Sequence, residues 1–238
     1  MRVSVAVLLL ISLAGPALAQ ELTLDLGDQS ALSTRSIQLL ALVTVLSLVP
    51  GLAVMVTCFP FIVTVLSILR QAIGLQQSPP NMLIVSLALF LTWYVMDPVF
   101  TEAWAKGIGP LTRNEIDLQA AITATLAPFR VFMAARLDPD TFTALQALRP
   151  GASGAALDAP LSILMPSFLL SEIQRAFEIG FLVFLPFLII DLVVAAVLMS
   201  MGMMMVPPAI VSLPFKLAFF VVADGWSLIS GALVRSYL

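Results

Sequence analysis

SEIQRAFEIGFLVFLPFLIIDLVVAAVLMSMGMMMVPP, residues Ser171–Pro208, is the stretch that most strongly limits the class of fold. Between Ile179 and Val206 its only charged residue is Asp191. An apolar run of this length exceeds the roughly 20 residues that a helix needs to cross a bilayer. The double proline at its end interrupts any helix, because proline lacks the backbone donor and clashes with the preceding turn. The stretch therefore predicts a long apolar helical segment that ends in a break.

The composition of the whole chain is also typical of a membrane protein. Of its 238 residues, 61% are hydrophobic and 11% are charged, whereas a soluble domain usually carries about 25% charged residues. The net charge is −3 and no basic patch stands out, which argues against nucleic acid as a partner. The chain has no histidine and a single cysteine, Cys58, so the commonest general base and metal ligand is missing. We therefore predict a protein that is not an enzyme and that uses no cofactor and no metal ion.

The beginning of the chain has the pattern of a secretory signal peptide. A positively charged start is followed by an apolar run, Val3–Leu13, and by an A-x-A motif that ends at Ala19. The run is shorter than the roughly 20 residues of a membrane span, which favours a cleaved signal over an uncleaved first helix. We predict cleavage between Ala19 and Gln20. This gives a signal peptide over residues 1–19 and a polar mature segment over residues 20–36 that begins outside the cytoplasm.

The distribution of charges divides the rest of the chain into three parts. Residues 37–96 are a first apolar half, whose last helical run we expect to end at Asp97-Pro98. Residues 97–160 hold twelve of the 25 charged residues together with several prolines and glycines. They predict a small aqueous insertion that contains short helices. Residues 161–238 are a second apolar half that includes a methionine-rich segment.

Charges and prolines inside the apolar segments indicate that these helices pack against protein. A charge at the centre of a bilayer costs about 2.5–3.5 kcal/mol. Helix breaks are tolerated at that depth only where protein or a water-filled cavity covers them. We therefore predict an all-α, membrane-associated fold of helical hairpins with broken helices, whose apolar faces pack against other subunits.

Several long motifs resemble the FliP family of flagellar type III export-gate proteins. They are the stretch quoted first, LRQAIGLQQSPPN (Leu69–Asn81), LALFLTWYVMDPV (Leu87–Val99), APFRVFMAARLDPD (Ala127–Asp140) and SLPFKLAFFVVADGW (Ser212–Trp226). The resemblance extends from about Thr57 to the C-terminus, and the cleavable signal fits it. It implies a pentameric ring that assembles with FliQ-like and FliR-like subunits into a closed channel in the flagellar basal body. Unfolded flagellar proteins would pass through this channel, and much of the mature chain would lie on the periplasmic side of the bacterial inner membrane.

The methionine-rich segment is a candidate closure of such a channel. It holds five methionines in seven residues: Met199, Met201, Met203, Met204 and Met205. Consecutive methionines point in different directions around a helix, about 100° apart, so one packing face does not explain them. Gly202 and the double proline favour a loop, and methionine adapts to irregular gaps. Ordinary packing is the alternative, while the resemblance implies a methionine-lined constriction that closes the pore until a substrate passes.

Six charged residues in apolar surroundings are candidates for contacts that hold an assembly together. They are Glu172, Arg175, Glu178, Asp191, Lys216 and Asp224. The first three are spaced by three residues and are expected to share one helical face. That face is either a solvated surface or, because apolar residues flank it, a subunit boundary.

The other three charges leave more than one interpretation open. Asp191 is a satisfied core acid, a partner in an intersubunit ion pair or a proton-carrying group. Lys216 needs an acid, which either Asp224, eight residues further on, or a neighbouring subunit can supply.

A turn rich in glutamine and proline follows the first apolar run, with Gln76, Gln77, Pro79 and Pro80. It predicts the tip of a helical hairpin, which is either a plain turn or a contact with the next subunit.

A different class of function is a small-molecule or ion transporter that uses Asp191 as a proton relay. A relay requires further titratable groups within the apolar segments, and the sequence does not supply a chain of them. We therefore predict the pore-forming export-gate subunit.

Overall fold

The computed structural model describes residues 29–75, 78–150, 154–203 and 205–237. These residues form α-helices, one π-helix and the turns between them, which confirms the predicted all-α fold. The predicted signal peptide, with its cleavage site between Ala19 and Gln20, lies outside the described residues. So do Gln76, Gln77 and Met204.

The helices follow one another with short connections. In chain order they are α1 (Gln29–Met55), α2 (Phe59–Ile73), α3 (Asn81–Ala103), a π-helix (Trp104–Ile108), α4 (Gly109–Thr112), α5 (Leu118–Arg136), α6 (Pro139–Ala147), α7 (Leu161–Ser200), α8 (Pro208–Val222) and α9 (Gly225–Arg235). The chain divides into two compact units, residues 1–47 and residues 48–238. Of the first unit, the described part is helical, and the following paragraphs concern the second.

Three helical stretches in the described part of the chain are long and apolar enough to cross a membrane. They are Asn81–Thr112, Leu118–Arg136 and Leu161–Ser200. α8 and α9 pass the same test as a pair, with a bend of 61° between them. The 40 residues of α7 extend about 60 Å at 1.5 Å per residue, twice the ~30 Å hydrocarbon thickness of a bilayer. An upright α7 that crosses the hydrocarbon layer would therefore extend about 30 Å beyond it.

The helical run of the first apolar half does not end at Asp97-Pro98, and that prediction is wrong. α3 continues through Pro98 to Ala103, and the π-helix and α4 carry the helical path on to Thr112. Proline removes one backbone hydrogen bond from a helix interior, but α3 packs against both α2 and α5. These tertiary contacts override the local signal, so a helix crosses the predicted boundary between the apolar half and the insertion.

The largest hydrophobic core lies where α2 packs against α3 and α7. α2 supplies a stripe of fully buried side chains at helical spacing: Phe61, Ile62, Val65, Leu66 and Leu69. α7 packs tightly against α2 at Gly180, where an added Cβ would lie 2.4 Å from Cδ1 of Ile68. Only glycine leaves room for this contact, which fixes α7 against the core.

Residues 97–160 contain a short helix, α6, whose first turn is capped by the side chain that precedes it. Asp138 precedes α6 and accepts hydrogen bonds from the backbone N–H of Thr141 at 2.8 Å and from its hydroxyl at 2.7 Å. These bonds hold the pKa of the Asp138 carboxyl below its usual range. The backbone N–H of Asp138 donates to the hydroxyl of Ser171 at 2.9 Å, which ties the insertion to α7.

Candidate functional site

The methionine segment connects α7 to α8 at the end of a helical hairpin. α7 ends at Ser200, and Gly202 follows with a φ of 75°. The N–H of Gly202 donates to the carbonyl of Met199, and the N–H of Met203 donates to the carbonyl of Leu198, both at 3.0 Å. This pair of bonds closes a helix around a left-handed residue, a conformation that glycine adopts without steric cost. The segment is thus a loop from Met201 onward, whereas Met199 belongs to the last turn of α7.

The described methionines of this segment expose their side chains. Their exposed fractions are 61% for Met199, 65% for Met201, 41% for Met203 and 98% for Met205. Apolar side chains exposed together mark an interaction site or the lining of a binding groove more often than an ordinary surface. These side chains therefore contribute little to the core that the described residues form.

An ion pair between Asp191 of α7 and Lys216 of α8 lies behind this loop, where the two helices pack together, and it also contacts the end of α2. Nζ of Lys216 lies 2.5 Å from Oδ2 of Asp191 and donates to the backbone carbonyl of Ala72 at 3.2 Å. The hydroxyl of Ser212 donates to Oδ1 of Asp191 at 2.6 Å. The Lys216 side chain is 7% exposed and that of Asp191 is 34% exposed. Each charge therefore finds its counter-charge within one chain, as a buried ion pair requires.

Within the described residues the partner of Lys216 is Asp191, not Asp224. Asp224 is exposed and lies in the turn between α8 and α9, with a φ of 47°. The bend of 61° at this turn means that the eight-residue spacing no longer places the two groups on one helix face. Asp191 lies 12 residues before Met203 and Lys216 lies 12 residues after Met204, a symmetry that becomes informative only once the two helices are seen to pack as a hairpin. The two arms of a hairpin that turns at the methionines bring equidistant residues together.

Glu172 lies at the centre of a second buried cluster, which links α5, α7 and the residues after α9. Its Oε1 accepts a hydrogen bond from Nε of Arg136 at 3.1 Å, and its Oε2 accepts one from the hydroxyl of Tyr237. Arg136 also donates through Nη1 to the carbonyl of Ser236 at 2.8 Å. Its guanidinium carbon lies 4.0 Å from the ring centre of Tyr237, a cation–π contact. Burial and the charge of Glu172 raise the pKa of the Tyr237 hydroxyl.

Glu172, Arg175 and Glu178 do not share one face, so that prediction is wrong. Glu172 is fully buried, Arg175 is half-buried, and Glu178 is exposed and accepts a hydrogen bond from Gln174 at 3.2 Å. A step of three residues falls about 60° short of a full turn, so two steps turn the side chain by about 120°. Neither Arg175 nor Glu178 forms an ion pair within the described residues.

The described part of the predicted hairpin tip connects α2 to α3. Pro80 is exposed and precedes the first residue of α3, and Pro79 is half-buried. Arg70 in the last turn of α2 bonds to the side chain of Asn81. This contact joins the end of α2 to the start of α3 within the chain.

Comparison with known proteins matches most of this structure to one family. The sequence model described as the FliP family matches residues 42–233. This range contains both arms of the α7–α8 hairpin, the methionine loop and the hairpin tip.

The chain is also similar to curated proteins named flagellar biosynthetic protein FliP. It is 50% identical over 223 residues to the protein from Caulobacter vibrioides, an alignment that covers 93% of this chain and 84% of the relative. Against the Agrobacterium fabrum protein it is 45% identical over 242 residues, with 99% of both chains covered. Against the Bacillus subtilis protein it is 44% identical over 203 residues, covering 85% of this chain and 92% of the relative.

Proposed function

Because this chain belongs to the FliP family, we propose that it is the pore-forming structural subunit of a flagellar type III protein-export gate. As a member of this family it is a component of flagellar biosynthesis. In the proposed role, copies of the chain form a ring, a pentamer by the family resemblance. Together with FliQ-like and FliR-like subunits, the ring conducts unfolded flagellar proteins across the inner membrane.

The observation that supports this proposal is the contrast between the methionine loop and its support. The loop exposes apolar, flexible side chains, whereas the hairpin that carries it is held by the buried pair of Asp191 and Lys216. The nine helical residues from Asp191 to the end of α7 at Ser200 extend about 14 Å, so the ion pair lies well behind the methionine loop. A ring of such loops closes a central hole with thioethers that adapt to irregular shapes. It reshapes around a passing chain without disturbing the body of the subunit.

A second observation supports assembly from several subunits. α7 exposes a row of large apolar side chains: Phe177, Phe181, Leu182, Ile189, Leu192 and Val193. Leu170 and Met199 of α7 are exposed as well, so apolar side chains are exposed along 29 residues, about 44 Å at 1.5 Å per residue. This is longer than the ~30 Å hydrocarbon layer, so lipid around an upright α7 leaves part of them uncovered. We propose that neighbouring subunits cover the remainder, on the periplasmic side of the membrane. Arg175 and Glu178 are available for contacts across that boundary.

The contacts of Asp191 favour the gate subunit over the transporter alternative. Asp191 is engaged by Lys216 and by Ser212, so a proton on its carboxyl would break a buried ion pair. This contact gives Asp191 a structural role in the hairpin, which a gate subunit needs and a relay does not.

Substitution of the methionines tests the gate. The variant with alanine at Met203, Met204 and Met205 removes most of the thioether volume from the loop but leaves the hairpin contacts in place. We expect the complex to assemble with unchanged mass while membranes that contain it become permeable to ions. Met82, which is 80% exposed and lies in α3, serves as the control, since Met82→Ala is expected to leave conductance unchanged. Wild-type conductance in an assembled loop variant would refute the proposal.

A further inference from the structure

A cavity of about 680 Å³ lies between α3, α5 and the start of α7. The end of α1 and the start of α2 complete its wall, and the described residues that line it all belong to the second compact unit, residues 48–238. Sites for small ligands usually measure about 300–1,000 Å³. The cavity is therefore large enough to hold a ligand, and neither the methionine loop nor the ion pairs belong to it.

The lining of this cavity is apolar. Among the described residues that line it none is charged, and three threonines are the only ones with a polar side chain. The hydroxyl of Thr57 donates to the carbonyl of Val54 at 2.6 Å, and that of Thr92 donates to the carbonyl of Ala88 at 2.7 Å. Most ligand sites place a few polar groups that orient the ligand, but these two hydroxyls are already bound to the backbone. Because an apolar cavity excludes water, its occupant is a group that forms no hydrogen bonds.

Aromatic side chains form one wall of the cavity, from its rim to its interior. The ring centre of Trp93 lies 5.4 Å from that of Phe100, which in turn lies 5.9 Å from that of Phe129. Trp93 is 65% exposed, whereas Phe100 and Phe129 are half-buried. Thr92 and Met133, which are 6% and 2% exposed, form the buried floor. The cavity is thus a slot that is open at one side, and this shape fits a long, flexible apolar chain.

The helices that supply much of the lining are candidate membrane spans. α3 and the π-helix lie within Asn81–Thr112, and α5 is the span Leu118–Arg136. Leu126, an exposed residue of the lining, lies near the middle of α5. In a bilayer crossed by α5, the rim therefore opens at the depth of the hydrocarbon layer, where phospholipid acyl chains are the surrounding molecules.

The volume of the cavity matches one such chain. A methylene group is similar in size to a water molecule, whose share of the liquid is roughly 30 Å³. At that size the 680 Å³ of the cavity accommodate on the order of 20 methylene groups, which is the bulk of one long acyl chain.

We propose that this cavity binds one acyl chain of a membrane phospholipid, which enters past Trp93 and Leu126 and lies along the aromatic wall. Protein interiors are close-packed, and a void destabilises a fold in proportion to its volume. The bound chain supplies the packing that α3, α5 and α7 do not supply to one another, so the lipid is a structural part of the subunit. The site needs no free surface in a ring, because a chain bound before assembly stays between the helices afterwards.

The experiment uses the assembled export complex from cells that are supplied with a fatty acid carrying a photoreactive diazirine in its acyl chain. Labelled phospholipid is then present while the subunits fold and assemble. After irradiation, mass spectrometry of proteolytic fragments locates the label. Thr92 and Met133 on the floor are out of reach of lipid that only surrounds the protein. Met82 and Phe90, which are 80% and 74% exposed, report that surrounding lipid.

Two pairs of variants test whether the cavity holds the chain. Leu126→Trp on α5 and Leu89→Trp on α3 enlarge side chains of the lining. Leu118→Trp and Leu83→Trp make the same change on the same two helices, at exposed positions outside the described lining. The mass of the purified complex shows which variants assemble. The labelling pattern of the wild type decides the question even if both enlarged variants fail to assemble.

We expect label at Thr92 and Met133 in the wild type and in both control variants, with about one phospholipid per subunit retained through purification in detergent. The two enlarged variants should lose this label and the retained lipid severalfold, because the larger side chain occupies the space of the acyl chain. Met82 and Phe90 should keep their label in all of them.

Three results would overturn the proposal. Label on Met82 and Phe90 alone in the wild type would show that lipid only surrounds the protein. Floor label that persists in the enlarged variants would place the chain elsewhere. A floor that is labelled in dissociated subunits but not in the assembled complex would show that a neighbouring copy fills the cavity.

Discussion

The buried pair of Asp191 and Lys216 should respond unequally to removal of its two partners. Lys216 is 7% exposed and Asp191 is 34% exposed. Asp191→Ala leaves the ammonium group buried with a single backbone carbonyl, that of Ala72, as its partner. Loss of one partner from a buried pair costs about 3–5 kcal/mol, which corresponds to a fall of roughly 6–20 °C in Tm for a chain of this size.

Removal of Lys216 is expected to cost less stability than removal of Asp191. Lys216→Met keeps the aliphatic length of the side chain and leaves Asp191 with the Ser212 hydroxyl and partial access to water. We expect a cost of about 1–3 kcal/mol, typical of a polar group that loses one partner. The double variant, Asp191→Leu with Lys216→Met, removes both charges. Its cost should be smaller than the sum of the single changes, since paired removal leaves no orphaned charge.

Thermal unfolding of the detergent-solubilised protein, at one protein concentration for all variants, measures these costs. Asp191→Asn is the matched control, because it removes the charge but retains an acceptor for the Ser212 hydroxyl. Its Tm should lie between those of wild type and Asp191→Ala. Equal falls in Tm for the two single variants, or a double variant that shows the sum of the two shifts, would refute an unequal contribution of the two charges.

Three further changes test other contacts. Gly180→Ala should destabilise the contact of α2 with α7 by about 1–3 kcal/mol through overpacking, measured by thermal unfolding. Gly231→Ala is the control and should be tolerated in the same assay, because the atom nearest to its added Cβ would lie 3.5 Å away. Tyr237→Phe removes a hydrogen bond to buried Glu172 and should cost about 1–3 kcal/mol, seen as earlier detachment of the C-terminal residues in limited proteolysis. The lowered pKa of Asp138 means that its cap stabilises α6 above the unfolded-state pKa of about 3.9. This stability should be lost as pH falls through the still lower folded-state value, which hydrogen exchange of α6 amides measures.

Each of these predictions has an outcome that contradicts it. Equal loss of stability from both glycine variants would mean that close packing at Gly180 is not the cause. Unchanged proteolysis of Tyr237→Phe would show that Glu172 does not hold the C-terminal residues. If acid accelerates the amide hydrogen exchange of α6 as much in Asp138→Ala as in wild type, a group other than Asp138 causes the pH dependence.

The sequence alone determined the class of fold and the position of the loop. Long apolar runs require backbone hydrogen bonds within one segment, and in lipid a helix satisfies them. The methionine loop was predictable because Gly202 and the double proline act on the backbone next to them. The cap at Asp138 was predictable for the same reason, since its partner lies three residues away.

The tertiary structure alone decided which charges meet and where a helix passes through a proline. Glu172 pairs with Arg136, 36 residues earlier, and Lys216 pairs with Asp191, 25 residues earlier. Local spacing had pointed instead to Arg175 and to Asp224. A buried charge is stabilised by whichever counter-charge the packing of helices brings within a few ångströms, and contacts between helices likewise outweigh the bond that Pro98 removes. These energies arise between distant segments, so residues close in sequence do not encode them.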